Sequence, residues 1–240
     1  MRDPDAYIML ISGLPSPEKL FFAKRPPLSR LKLDQRLRVL TAADAETLKL
    51  VEDALNWGQL SIALSEQDVI NRGREALTRI EHETLRRIVR ERLELRTCIA
   101  ALRRRARGEG PPGEPWGFGR WIAHITRNWT DPGFRLENAF PWLREADDMI
   151  KQGNAPGLER LVLEQSYKRL QRAAGEHTFD FEAVVIYVLK WNIFDRATRY
   201  NAEAALRRFE DMTQAALGHY AKLSFPDLSS PKSSSNGESR

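Results

Sequence analysis

The stretch IEHETLRRIVRERLELRTCIAALRRRAR, residues 80–107, decides the class of fold. Its apolar positions Ile80, Ile88, Leu95, Ile99, Leu102 and Ala106 recur at spacings of 3, 4, 7 or 8 residues. That is the repeat of an amphipathic helix, in which side chains three and four apart share one face. No proline falls between Glu66 and Arg107, so the helical pattern extends back to Glu66 as one long helix, with Gly73 the one residue placed to split it. It stops in GEGPPGEPWGFG, residues 108–119, where five Gly and three Pro disfavour regular structure and predict a hinge.

Upstream, Thr41 with Asp44 and Glu46 behind it starts a helix that carries Leu48, Val51 and Leu55 on one face. Residues 1–40 are interrupted by Pro15, Pro17, Pro26 and Pro27 and are expected to be irregular, with YIMLISGLP (7–15) a short strand or extended arm. Downstream, Pro141 opens a helix ending at Gly153, and Pro156 opens another that carries Leu163, Tyr167 and Leu170 before Gly175. FDFEAVVIYVLKWNIF (179–194) is apolar on nearly every face, which predicts a helix surrounded by other helices. Asn201 then reads as the cap of a further helix. The tail 224–240, with seven Ser in seventeen residues, is expected to be disordered. The reading is all-α: an irregular segment 1–40, a helical half 41–107, a hinge 108–119, a helical half 120–223 and the tail.

Composition narrows the function classes. Of 240 residues 42% are hydrophobic and 30% charged, and the longest apolar run, AVVIYVL (183–189), is far short of a bilayer span of roughly 20 residues. MRDPDAYIMLISGLP lacks the basic start and cleavage site of a signal peptide, which points to a cytoplasmic chain. One cysteine, Cys98, excludes an internal disulfide and reads as a buried, inert thiol. The four histidines form no sequence-local metal motif, so no metal and no cofactor are expected. Net charge is +5, yet residues 72–107 hold twelve arginines against five glutamates, so the basic character belongs to one segment.

No glycine loop follows a strand, which argues against a nucleotide-hydrolysing or dehydrogenase domain. Glu81, Glu83, Glu91 and Glu94 stand among arginines as in a solvated helix face, and Asp147-Asp148 reads as solvated helix surface as well. Trp116, Trp121, Trp129 and Trp142 read as anchors between helices rather than a stacking platform. Arg103, Arg104, Arg105 and Arg107 lie at a helix C-terminus, where the macrodipole stabilises cations. They could also meet an acidic protein surface, lipid headgroups or nucleic-acid phosphates, in falling order of preference.

Three stretches in order resemble a known family. YIMLISGLP (7–15), followed by Pro26-Pro27-Leu28-Ser29, resembles the opening of a bacterial family of short proteins encoded with the components of V-type ATPases. LELRTCIAALRRRARG (93–108) looks like the helix of the wider V-type ATPase C/d-subunit family that runs into a basic end and a glycine. FDFEAVVIYVLKWNIFDRATRY (179–200) is similar to that family's apolar helix near the C-terminus. The chain departs from the wider family in Glu94-Leu95-Arg96-Thr97-Cys98, where Asp and Asn-Ile are usual, and in being shorter than members with three pseudo-repeated helical units. The resemblance implies a non-catalytic component of a rotary ATPase, peripheral on the inner face of the plasma membrane, with the central-stalk and proteolipid-ring proteins as partners and no small-molecule substrate. Partner contacts are then expected at Arg103, Arg104, Arg105, Arg107, Trp116 and Phe118. The alternatives are a helical nucleic-acid-binding or regulatory module using the Arg-rich helix, and an enzyme with a site assembled from distant helices.

Overall fold

Why the 80–107 stretch is helical is visible in what its stripe buries. The computed structural model describes residues 7–16, 25–55, 66–113 and 116–220, with backbone alone at 66, 67, 69, 200–211 and 214–220. Among the described residues there are nine helices and no strand: α1 (Ile8–Gly13), α2 (Arg30–Leu37), α3 (Ala42–Leu55), α4 (Glu66–Arg79), α5 (Glu83–Ala106), α6 (Ile122–Arg127), α7 (Leu143–Lys151), α8 (Ala155–Ala174) and α9 (Phe181–Tyr220). The fold is all-α, as the periodicity implies. None of the described helices is long and apolar enough to cross a membrane.

Two apolar cores are strung along α5. Its first half puts Leu85, Val89 and Leu93 into a core shared with Leu33, Val51, Val184 and Phe194. Its second half puts Leu95, Cys98 and Leu102 into another, shared with Ile125, Phe134 and Leu143. α8 visits the same two cores in the opposite order, Leu158 and Leu161 in the second, Leu163 and Leu170 in the first, so α5 and α8 run antiparallel. Each such side chain taken fully from water contributes about 1.5–3 kcal/mol. Asn154 caps α8 by accepting a hydrogen bond from Gly157 N at 2.9 Å, which also places Pro156 in the first turn, where its missing N–H costs nothing.

The N-terminus departs from the irregular, strand-like segment expected. Residues 8–13 are α1, not a strand or arm, and residues 30–37 are α2. Tyr7 N donates to Phe179 O at 3.0 Å, and the Tyr7 hydroxyl donates to Asp44 Oδ2 at 2.5 Å. These long-range anchors hold a helix of six residues that no local propensity would sustain. Ser29 caps α2 by accepting from Lys32 N.

The long helix does break, but at residues 80–82 rather than at Gly73. The chain turns there to bury Ile80 completely and His82 almost so. His82 Nδ1 lies 2.7 Å from Glu182 Oε1, and its ring packs on Phe181 at 4.9 Å. Gly73 stays helical and lets α4 close on α5, since a Cβ there would lie 2.9 Å from Leu93 Cδ1. At the other end, α9 continues through Asn201, which is therefore no cap. No Gly or Pro occurs from Phe181 to Leu217 to stop it.

The Gly/Pro segment is not a free hinge over its whole length. Phe118 N donates to Thr97 Oγ1 at 2.7 Å. Arg120 N and Trp121 Nε1 donate to the Glu94 carboxylate at 3.4 and 3.1 Å. The turn WGFG is thus docked on α5 by two buried polar side chains, Glu94 and Thr97. By contact the chain divides into two units, 1–198 and 199–240, so residues 108–119 fall inside the first. The tail 224–240 lies outside the described residues.

Candidate functional site: an arginine-lined cavity

Arg92, Arg96, Arg103 and Arg107 are spaced 4, 7 and 4 residues apart, which at about 100° per residue puts the first three on one face of α5 and Arg107, its C-cap, at the end of that face. That face forms one side of a cavity of about 510 Å³. The other sides come from Leu158, Glu159 and Val162 of α8, Arg196 of α9, and Trp116 to Phe118 of the docked turn. Among the described residues, six arginines, the four above with Arg104 and Arg196, stand in the lining against one acid, Glu159.

Among the described residues, the acids nearby are already engaged. Glu159 Oε1 accepts from Arg196 Nε. Glu109 pairs with Arg104 Nε at 2.9 Å and with Arg107 Nε; the Arg107 hydrogen bond holds the Glu109 carboxyl below its usual range. Arg103 and Arg107 are exposed, whereas Arg92 and Arg96 are half-buried. Arg92 Nη1 is buried with no hydrogen-bond partner among the described residues. Burial, reinforced by the Arg196 guanidinium, pushes Arg92 down to about 10. Burial again, with Arg92, Arg103 and Arg196 nearby, pushes Arg96 down to about 9. A guanidinium ordinarily stays protonated well above pH 12, so these groups are cations held where charge is disfavoured.

Of the six residues expected to meet a partner, Arg103, Arg104, Arg107, Trp116 and Phe118 all line this cavity. Arg105 points inward instead. Its guanidinium donates to the carbonyls of Trp129 at 3.0 Å and Pro132 at 2.8 Å, and to that of Asp131. It pairs with Asp147 Oδ1 at 2.7 Å and lies over the Phe134 ring at 4.5 Å. Asp147, read from sequence as solvated, is 1% exposed and also pairs with Lys151 Nζ at 2.6 Å. Arg105 therefore organises the 128–142 segment, in which Phe134 and Arg135 hold positive φ.

Sequence reading missed Arg92, Arg96 and Arg196. A signal was present for the first two: neither has an acid three or four residues away on α5, unlike the arginines of a face balanced by ion pairs. Trp116, Trp129 and Trp142 are buried and in edge contact with other rings, as anchors between helices should be. Cys98 is fully buried, and burial, with Glu94 adding to it, pushes its thiol up to about 12. Its reaction with a disulfide reagent at pH 8 should be on the order of a thousandfold slower in the native protein than in denaturant; equal rates would place the thiol at the surface.

A second polar group joins the N-termini of α5 and α9. His177, Asp180 and Glu182 bring ligand-type atoms within 4.8 Å of one another. Both His177 nitrogens are in use, on Asp180 Oδ2 at 2.5 Å and Thr84 Oγ1 at 3.0 Å. Asp180 also caps α9 through Ala183 N at 2.9 Å. These bonds fasten the two helix starts together. Compared with protein-family models, curated proteins and solved structures, the chain finds no match.

Proposed function

We propose that this chain is a non-catalytic coupling component of a V-type rotary ATPase, carrying the central stalk on the membrane rotor ring. The observation that supports the reading is the cavity itself, whose excess of arginines over acids faces outward at Arg103 and Arg107 on an all-helical body. A concave cationic surface with Trp116 and Phe118 in its lining suits an acidic protein segment better than a flat basic patch would. The order of the three stretches that resemble the C/d-subunit family supports the same partners. Torque transmission favours packed helices, and α5 with both cores on it is of that kind.

Tagged protein purified from detergent-solubilised native membranes should bring down stalk and proteolipid proteins. Replacing Arg103 and Arg107 together by Gln, while leaving Arg105 in place, should weaken that association about tenfold at moderate salt without loss of helicity. Recovery of nucleic acid with a steep salt dependence, and of no ATPase component, would replace this reading with the nucleic-acid one.

A further inference from the structure

The inner wall of the cavity is chemically distinct from its rim. Arg92 and Arg96 are drawn in from solvent one helical turn apart, and the exposed Arg196 reaches the same lining from α9. Among the described residues the lining has one acid, Glu159, which is paired with Arg196 and offsets the Arg92 charge only in part. A buried guanidinium nitrogen without an acceptor, Arg92 Nη1, is costly unless something else supplies one. Adjacent like charges on a half-buried wall add repulsion that only an anion relieves.

We infer that the cavity is a binding site for a small phosphate-bearing polyanion, held by Arg92, Arg96 and Arg196. Guanidiniums present paired N–H donors that match phosphate oxygens two at a time. A single carboxylate would bring one negative charge to a lining that, among the described residues, carries six arginines against one acid. A di- or triphosphate brings several within a few ångströms. The volume of about 510 Å³ exceeds one phosphate and falls in the range of small-ligand sites, roughly 300–1,000 Å³. Trp116, Ile99 and Val162 offer apolar surface to the organic part of a phosphate ester. The inference does not depend on the coupling role: it turns on Arg92, Arg96 and Arg196, whereas the assembly test replaces Arg103 and Arg107.

The test is thermal unfolding and calorimetric titration of the full chain with phosphate, pyrophosphate, tripolyphosphate and ATP, each against sodium chloride of equal ionic strength. Saturable binding is expected, stronger for tripolyphosphate than for phosphate, with Tm raised by about 5 °C at roughly 100 times Kd. Arg92→Met should raise the Tm of the ligand-free protein and weaken tripolyphosphate at least tenfold. Arg92→Lys should retain part of the binding, and Arg103→Gln with Arg107→Gln most of it. Should Arg92→Met fail to fold, Arg96→Gln with phosphorus NMR line broadening on the wild type supplies the same comparison. A shift that merely follows ionic strength, equal binding by wild type and Arg92→Met, or stronger binding of a poly-glutamate peptide than of tripolyphosphate would overturn the site.

Discussion

Replacing Asp147 by Ala should cost about 3–5 kcal/mol of stability, the range for removing one partner of a buried ion pair. Asp147 is 1% exposed and holds Arg105 Nη2 at 2.7 Å. Without it the Arg105 guanidinium stays over the Phe134 ring, still bonded to three carbonyls, with its charge uncompensated. Those carbonyls belong to the 128–142 segment, so the damage should spread to Phe134, which is fully buried at a positive φ of 55°. Urea unfolding gives the measurement. The double replacement Asp147→Leu with Arg105→Met should recover only part of the loss: it leaves no orphaned charge, but it also takes the donor from the carbonyls of Trp129, Asp131 and Pro132. A loss under about 1 kcal/mol for Asp147→Ala would mean the pair is wet and weak.

Gly119→Ala should cost about 3 kcal/mol and detach the turn that lines the cavity. Gly119 has φ +94°, and a Cβ on it would lie 2.3 Å from Glu94 Cγ and 2.7 Å from Glu94 Oε1. Backbone strain alone is worth roughly 1–3 kcal/mol for a residue with a side chain. The overlap cannot be relieved cheaply, since Glu94 is the acceptor for Arg120 N and Trp121 Nε1. Gly117, φ +62°, is similarly crowded against Thr97 Cγ2 at 2.6 Å. The readout is a red shift of tryptophan emission together with a lower urea midpoint. Gly113→Ala is the matched control: none of the described residues lies within 4 Å of a Cβ there, and its effect should stay within about 0.5 kcal/mol.

Much of the fold could be read from spacing. The stripe through Ile88, Leu95, Ile99 and Leu102 is buried almost throughout, and the apolar 179–194 stretch supplies the first core with Val184, Val188, Leu189 and Phe194. What escaped was everything that depends on residues far apart in the chain. α1 exists because Tyr7 reaches Phe179 and Asp44. The break at 80–82 exists because His82 finds Glu182, a hundred residues on. Glu94 has the composition of a solvated helix face but is buried as the acceptor for the WGFG turn. Arg105 and Arg103 are neighbours in one run of like charges, and helix rotation alone sends one into the protein and the other into the cavity lining. The arginine stripe was visible as charge; that it faces a concavity required α8 and α9 to be in place.

The antiparallel pair α5 and α8 has a mechanical meaning. Each core draws on both helices, so neither can melt while the other stays whole without pulling apart a helix that its neighbour still needs. Load applied at one end of α5 passes to the other along a continuous ladder of backbone hydrogen bonds, not across a side-chain seam that could slip. The molecule is in this respect a stiff strut of 24 residues braced along its length by a second of 20, about 36 Å and 30 Å at 1.5 Å per residue.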